Sequence, residues 1–506
     1  MIFRQPKRVV LALFSGGLYA LSNVGFGWWP LVFFYLVPLW LALDALGSHK
    51  NLKQAALLGF IFGLSAFAVG FPWLLSLTDK FLGSGIVIGS ILWVCLGIWF
   101  AFGFVIYALL YRCLSYVKYP HIIKGTAPLI LIEWWQISLF PSYGGAALIA
   151  KPILAQIADL GGPLLLSAFV VMINSGVYAV YHWYVCKSGF PVKQTISAII
   201  LFSSVLTYGH IQSASILEKA HVNPLHIGAI QSNLVMLEKD ELSLRSHAVH
   251  LKQSQDLLAE HKVDLLIWPE TAYVRGLRRP LPIDAQFIRA GIEVPLLFGG
   301  TSVWQNKGQK AKANSVFLAD EGGKIEQVYD KSLLIPFAEY TPFAQLLKPY
   351  KAQLSTLFPQ GQNFNSEGQQ HAIQLGSTTI STPICYEIIH PDFVRNQVNR
   401  LRPQLIVTLA NDAWFGDTQE PWIHLSLARL RAIEHRLWLV RSTNSGISAI
   451  VDPTGNITTR TELHTQENLI GTVYPQSSFT FYARYGNWVG WLALLLTLHG
   501  FYRLLT

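Results

Sequence analysis

The sequence predicts a polytopic α-helical membrane domain of about eight spans, with an α/β domain folded as an α-β-β-α sandwich inserted before the last span. Three observations lead there. First, the 506 residues are 52% hydrophobic and only 13% charged, with a mean hydropathy of +0.36, whereas a soluble chain carries roughly a quarter charged residues. Second, the apolar character is uneven: 1–210 is strongly apolar, 211–486 has an ordinary soluble composition, and 487–506 is apolar again. Third, 211–486 alternates short strands with helices and also contains hairpins, which suits a mixed sheet covered by helices.

A span needs about 20 mostly apolar residues. In chain order the candidates are Val9–Phe26, Trp29–Leu46, Ala55–Leu77, Gly85–Tyr111, Ile122–Phe140, Pro163–Val185, Thr195–His210 and Asn487–Tyr502. The basic Arg4-Gln-Pro-Lys-Arg8 precedes the first, and Ala20-Leu-Ser22 would pass as a signal-peptide cleavage site. Further spans follow at once, so a retained anchor is expected. The formal charge of +9 invites a nucleic-acid reading. The basic residues instead sit in short loops: the N-terminus, Ser48-His-Lys-Asn-Leu-Lys53, the loop from Arg112 to Lys124, and Lys187–Lys193. That is the positive-inside pattern of a membrane protein, and it excludes a nucleic-acid partner. Every second loop is then cytoplasmic, 211–486 lies on the far side, and the last span returns the C-terminus with Arg503. This parity depends on the count of spans.

Glu133 lies inside the fifth candidate, in Leu129-Ile-Leu-Ile-Glu-Trp-Trp-Gln136. An intramembrane carboxylate is a functional candidate by default. The preferred reading is structural, a bundle-facing Glu that hydrogen-bonds between helices, with Trp134 and Trp135 as interfacial belt residues. Asp44 and Asp159 fall near span ends. The cysteines Cys95, Cys113, Cys186 and Cys385 have no metal-ligand spacing, and neither a metal nor an organic cofactor is expected.

In the soluble part, His226–Gln231, Val263–Trp268, Pro295–Trp304, Pro403–Ala410, Leu437–Arg441 and Gly446–Val451 read as strands. Glu238–Lys262 and Ile423–Glu434 read as helices. Asn314–Ala319 and Lys324–Tyr329 form a hairpin across Asp320-Glu-Gly-Gly323, and Asp452-Pro-Thr-Gly455 turns into Asn456–Arg460. The β-branched run from Thr378 leads to Cys385, and Pro391–Asn396 begins like a helix.

Three polar residues stand at the ends of apolar strands. Glu270 follows Leu-Leu-Ile-Trp-Pro, Lys331 follows Tyr329-Asp, and Cys385 follows its own run. Strand ends in layered α/β folds gather on one edge, where sites form. A Cys with a carboxylate base and a lysine suits acyl transfer: Glu takes the thiol proton, the thiolate attacks a carbonyl, and Lys with a backbone N–H stabilises the oxyanion. No histidine holds the obvious base position. Each residue also has a bland reading: a turn-capping Glu270, a solvated Lys331, and a core thiol at Cys385. Those readings weaken jointly, because all three residues occur where an α/β site would be.

Trp268-Pro-Glu-Thr271, Tyr329-Asp-Lys331 with Pro336-Phe-Ala-Glu339, and Ile384-Cys-Tyr-Glu387 resemble the three motifs of the nitrilase (carbon–nitrogen hydrolase) superfamily. Asn411-Asp-Ala-Trp-Phe-Gly416 and Arg441-Ser-Thr-Asn-Ser-Gly446 add to the match. A nitrilase-like domain set between the seventh and eighth spans resembles the bacterial apolipoprotein N-acyltransferases, over essentially the whole chain. The resemblance implies Cys385 as nucleophile, Glu270 as general base and Lys331 as oxyanion stabiliser. It further implies Glu339 as the carboxylate positioning Lys331 or the base, Tyr386 and Glu387 shaping the site, and Trp414 on a substrate-facing loop. In the segment Gln231-Ser-Asn-Leu-Val-Met-Leu-Glu-Lys-Asp240, Gln231 and Asn233 match, with Asn233 expected to bind substrate, but the tryptophan often found there is missing.

The resemblance also implies a two-step reaction. A phospholipid, expected to be phosphatidylethanolamine, acylates Cys385. The amine of a diacylglyceryl-cysteine on an apolipoprotein then takes the acyl group. A monomer in the bacterial inner membrane, with its catalytic domain on the periplasmic side, is expected. The segment 340–364, with Phe343, Leu346, Leu347 and Phe358, reads either as a mobile flap that admits acyl chains at the interface or as an ordinary packed helix-loop. A membrane-anchored amidase and a non-catalytic lipid-binding protein stay open as alternatives.

Overall fold

The structure, a computed structural model, describes residues 6–47, 51–80, 85–117, 119–136, 138–187, 189–219, 222–234, 239–306, 308–344, 346–357, 363–366 and 371–506. The chain divides into two compact units. One comprises Met1–Leu75, Val87–Ser213 and Tyr485–Thr506, and the other Ser76–Ile86 and Ala214–Arg484.

The first unit is helical. In order its helices are α1 (Pro6–Leu21), α2 (Leu36–Asp44), α3 (Leu52–Gly70), α4 (Trp73–Lys80), α5 (Gly85–Tyr116), α6 (His121–Trp135), α7 (Pro152–Ala155), α8 (Ala158–Cys186) and α9 (Val192–Lys219), of which α4 from Ser76, the start of α5 and the end of α9 from Ala214 fall in the second unit. The C-terminal helix Trp488–Leu505 joins it. Among the described residues, four helices are long and apolar enough to cross a membrane: α3, α5, α8 and α9. Small residues mark the crossings. A Cβ added at Gly16 would overlap the backbone of Phe62, and one at Gly59 or Gly63 would overlap that of Phe104 or Ala101. Backbones can approach this closely only where the side chain is absent.

Trp29–Leu46 is not the single helix expected. A 3-10 turn at Trp29–Phe33 carries Pro30 in its first turn, and α2 follows after Phe34. The nine residues of α2 rise only about 14 Å. The break leaves backbone groups without helical partners, and Asn174 supplies them. Its amide donates to the Val32 carbonyl at 2.8 Å, and its oxygen accepts from the Leu36 N–H at 3.0 Å. Irregular backbone at membrane depth survives where protein satisfies it in this way. Helix α8 begins five residues before the expected Pro163 and is kinked at Gly161 and Gly162, the latter at φ 63°. Helix α6 stops at Trp135 rather than Phe140.

The second unit holds two sheets. Its strands are β1 (Leu225–Gln231), β2 (Leu265–Ile267), β3 (Tyr273–Arg278), β4 (Ile283–Asp284), β5 (Leu296–Asn306), β6 (Gln309–Ala319), β7 (Lys324–Asp330), β8 (Ile373–Leu375), β9 (Thr378–Ser381), β10 (Leu405–Ala410), β11 (Trp438–Thr443), β12 (Ala449–Val451), β13 (Ile457–Arg460) and β14 (Glu467–Val473). The helices are α10 (Lys239–Glu260), α11 (Gln286–Arg289), α12 (Lys351–Leu357), α13 (Pro391–Leu401), α14 (Glu420–His435), α15 (Phe481–Tyr485) and α16 (Trp488–Leu505), the last belonging to the first unit.

One sheet runs β14-β1-β2-β5-β6-β7-β4, with β3 also on β5, and the other runs β13-β12-β11-β10-β9-β8. Their inner faces share one apolar core, in which Ile227, Leu265 and Leu297 meet Leu405, Val407 and Val440. On the outer face of the first sheet, Leu257, Val263 and Ile288 close over Leu266, Trp268 and Phe298. Helices α13 and α14 lie against β9 and β11 of the second sheet. The layering is therefore α-β-β-α. The expected strands and the hairpin are all present, with ends shifted by a few residues. Strands β3, β4, β8 and β14 were not anticipated. β14 pairs antiparallel with β1 from Leu225↔Val473 to Gln231↔Glu467, yet only Leu469 and Val473 of its residues are buried. An edge strand so sparsely buried leaves no alternating apolar signal.

Candidate active site

Strand β2 stops at Ile267, and the chain turns at Pro269-Glu270-Thr271, with Thr271 at φ 55°. This turn lies on Gly299 of β5, where any Cβ would come within 2.7 Å of the Glu270 Cα. Glycine is thus required there for Glu270 to point into the site. Lys331 follows the end of β7, its N–H bonded to the Asn314 carbonyl at 2.8 Å. Cys385 opens a 3-10 turn, Cys385–Ile389, that separates β9 from α13, so the expected strand-to-helix corner contains an extra turn. Its φ of 48° is a left-handed conformation that costs a non-glycine residue about 1–2 kcal/mol. Such strain persists only where neighbours enforce it.

The three residues converge. The Lys331 ammonium, 1% exposed, lies 3.6 Å from Glu270 Oε1 and 2.8 Å from Glu339 Oε1. Asn314 Nδ2 donates to Glu270 Oε1 at 2.7 Å, and Glu270 and the Cys385 thiol are close enough to act on each other electrostatically. Glu339 is fixed in turn by the Ile335 N–H on Oε2 at 2.9 Å. Burial raises the Glu270 pKa against the pull of Lys331. Burial also pushes the Cys385 thiol well up, and the Glu270 charge adds to it, so the resting sulfur is a thiol. Burial works against the Lys331 ammonium, but Glu339 and Glu270 outweigh it and keep the group charged.

The Cys385 turn rests on two buried supports. Glu387 Oε1 accepts the N–H groups of Ser332 and Leu333 at 2.6 and 2.9 Å. Its Oε2 accepts the Tyr329 hydroxyl at 2.7 Å and the Ile384 N–H at 2.8 Å. On the other side, His424 Nε2 donates to the Cys385 carbonyl at 3.1 Å. His424 Nδ1 faces Asp412 Oδ1 at 3.2 Å and Glu420 Oε1 at 3.7 Å, and Arg441 pairs with Asp412 Oδ2 at 2.6 Å. Burial pulls the Asp412 carboxyl up, but Arg441 and His424 prevail and hold it at about 2. Asp412, Glu420 and His424 could each offer a metal one ligand atom, these lying within 4.8 Å of one another. The Arg441 guanidinium in the same cluster makes charge pairing their evident role.

Sequence reasoning found Glu270, Lys331, Cys385, Glu339 and Glu387, and the structure brings them together. Tyr386 is buried beside them with its ring against His390, centroids 4.5 Å apart. Trp414 is half-buried on the turn Asp412–Phe415. Asn233, at φ 47°, donates its amide to the His464 carbonyl at 2.7 Å and its N–H to Asn444 at 2.7 Å, so its side chain ties loops together. Phe343 is 78% exposed, and Leu346 and Tyr350 are exposed near it. Phe358 lies outside the described residues. Asn314, His424, Asp412 and Arg441 had no assigned role. Asp412 and Arg441 stood inside quoted motifs, and Asn314 opened the apolar part of a strand beside a second polar residue, Ser315. His424 left no comparable signal.

The carbon-nitrogen hydrolase family model matches residues 227–478. The apolipoprotein N-acyltransferase N-terminal domain model matches residues 15–176. The chain is 28% identical to the apolipoprotein N-acyltransferase of Geobacter metallireducens, over 96% of this chain and 93% of that protein. The chain belongs to the apolipoprotein N-acyltransferase family. Relatives of the same name from Pseudomonas paraeruginosa and Rhodopseudomonas palustris are 28% and 29% identical, each over 95% of this chain and 92% of their own. Among solved structures, an amidase from Nesterenkonia sp. aligns with 52% of this chain and 92% of its own at a TM-score of 0.35 and 17% identity.

Proposed function

We propose that the protein transfers an acyl chain from a phospholipid to the N-terminal amine of a diacylglyceryl-cysteine on apolipoproteins, through a thioester on Cys385. The observation that carries this reading is the buried Glu270–Lys331–Cys385 cluster in a chain whose named relatives are aligned along nearly its whole length. Glu270 takes the thiol proton as sulfur attacks the ester carbonyl. Lys331 and the Tyr386 N–H hold the oxyanion. The lysophospholipid oxygen leaves with the proton from Glu270. In the second half the amine attacks the thioester, Glu270 accepts an amine proton, and sulfur departs and is reprotonated. Glu339 acts by keeping Lys331 charged and placed, and Glu387 by fixing the Cys385 turn. A site built from buried groups suits a thioester that must meet an amine before water.

Seven spans before about residue 210 and an eighth after 486 would place the catalytic domain on the periplasmic face of a bacterial inner membrane, with the chain acting as a monomer. Phe343, Leu346 and Tyr350 are proposed to meet the lipid interface and admit acyl chains, alongside Trp414. The decisive experiment is intact mass spectrometry of the protein incubated with phospholipid alone. One acyl increment is expected on the wild type and none on Cys385→Ala. An active wild type that never carries the increment would sink the covalent route, and release of free fatty acid without N-acylated peptide would make the protein a hydrolase.

A further inference from the structure

Two cavities flank the contact between α8 and α9 in the first unit. One, of about 620 Å³, is lined by apolar side chains including Ile173, Val177, Val180, Ile199 and Phe202. The other, of about 600 Å³, is lined by Asp44, His121, Tyr178, His182, Lys193 and Gln194 among others. Both share Gly176, Trp183 and Ala198. The helices touch at Gly176, where an added Cβ would come within 2.7 Å of the Ala198 Cβ. α9 also meets the bundle through Phe202 on Phe33 and Phe169, Tyr208 on Asp159, and Gly209 against Ile153, yet in its most apolar stretch only 11% of residues are buried, against 67% in α8.

The polar cavity has a built wall. Asp44 accepts the Tyr178 hydroxyl at 2.6 Å and the Tyr111 hydroxyl at 3.1 Å, and Lys124 lies 3.4 Å away. His121 is held between the Tyr111 hydroxyl at 3.1 Å and Ser175 Oγ at 3.0 Å, and its ring stacks on Tyr178 with centroids 4.3 Å apart. The Asp44 side chain keeps 29% exposure, so this fixed carboxylate still offers an acceptor to the cavity. Lys193 and His182 stand exposed at the rim. A floor whose charge is already balanced by Lys124, a basic rim, and an apolar cleft next to it match the three parts of a phospholipid.

We propose that this pair of cavities is a phospholipid site distinct from the Cys385 chemistry. The phosphate meets Lys193 and His182, a hydrogen-bond-donating headgroup meets Asp44 and Tyr178, and one acyl chain passes Trp183 into the apolar cleft. All lining residues belong to the first unit, and the site does not depend on the proposed reaction. A free phosphate would leave the apolar cleft empty, and a phosphatidylcholine headgroup has no donor for Asp44. A lipid bound here stabilises the fold through mass action by filling the space beneath α9.

The test uses the full chain in phosphatidylcholine nanodiscs doped with a phosphatidylethanolamine that carries a photoreactive acyl chain. Adducts are expected to concentrate on residues 173–203. Unlabelled phosphatidylethanolamine or phosphatidylglycerol should displace them, and phosphatidylcholine or inorganic phosphate should not. Lys193→Glu should lower labelling by at least about fivefold, the effect of one basic contact near a lipid surface. Ile199→Trp fills the cleft from a lipid-facing position and should lower labelling as much, with labelling of α5 unchanged. Labelling spread evenly over α5, α9 and α16, or indifferent to both substitutions, would overturn the proposal in favour of ordinary boundary lipid. Displacement by inorganic phosphate would overturn it in favour of a simple anion pocket.

Discussion

Replacing Glu387 with glutamine separates the shape of this carboxylate from its hydrogen-bonding capacity. All four of its partners donate: Ser332 and Leu333 N–H to Oε1, and the Tyr329 hydroxyl and Ile384 N–H to Oε2. An amide keeps one oxygen. In its better orientation that oxygen accepts Ser332 and Leu333, and the NH₂ faces Tyr329 and Ile384. The tyrosine hydroxyl can turn to accept, as it already does from Gln397 Nε2 at 3.2 Å. The Ile384 N–H cannot, so one buried donor is orphaned, at about 1–3 kcal/mol. In a domain of this size each kcal/mol moves Tm by roughly 2–4 °C, which predicts a loss of about 2–12 °C.

The orphaned group immediately precedes Cys385, so acylation should slow as well, by about 10²-fold for a small misplacement of the reacting group. Glu387→Ala orphans all four donors. By the same arithmetic it loses about 4–12 kcal/mol, comparable with a whole domain's stability of about 5–15 kcal/mol, and it should fail to accumulate. Tryptophan-fluorescence melting in detergent reads the first effect, and the rate of appearance of the acyl increment by intact mass reads the second. Glu387→Gln with wild-type Tm and wild-type acylation would refute the claim that this carboxylate holds the turn.

His424 bonds the Cys385 carbonyl, and because the peptide is planar and trans that bond fixes the opposite direction of the Tyr386 N–H; His424→Ala should lower kcat for acylation by about 10²-fold, as loss of an oxyanion donor does, with KM little changed and His424→Gln partly restoring it. Equal loss in both variants together with a collapsed Tm would mark His424 as merely structural. In the membrane unit, Glu133 Oε1 accepts the Gly144 N–H at 2.8 Å, which glutamine can still do; Glu133→Gln should keep activity, and Glu133→Leu should lose about 1–3 kcal/mol of stability. An inactive but well-folded Glu133→Gln would show that the charge itself is used. His435 is fully buried beside Arg431, and burial with that guanidinium lowers its pKa to about 3. Its folded pKa lies below its unfolded value of about 6.5, so its contribution is present above pH ~6.5 and is lost as pH falls toward 3. His435→Phe should flatten the Tm-against-pH curve over the upper part of that window; an unchanged slope would discount it.

Glu270 and Cys385 were legible because each follows a mostly apolar stretch at a strand end, and Lys331 because it follows the second strand of a hairpin; a strand end is a local feature. What holds them is not local. Glu387 works through the N–H groups of Ser332 and Leu333, more than fifty residues away in sequence, and it was visible only through the motif it shares with Cys385. His424 acts on a backbone carbonyl 39 residues away from within an amphipathic helix that reads the same whatever its buried face touches. The same limit governs the membrane half. Hydropathy counts apolar residues and so expected one helix over Trp29–Leu46. The break after Phe33 is stable because Asn174, 138 residues beyond Leu36, closes its open hydrogen bonds. A side chain that performs chemistry must be placed by its own segment, so its segment advertises it. A side chain that satisfies another segment's backbone need only arrive in the right place, and any part of the chain can supply it. Polar residues in apolar helices, such as Asn174 and Glu133, are therefore the places where a sequence reading should first suspect a distant irregularity.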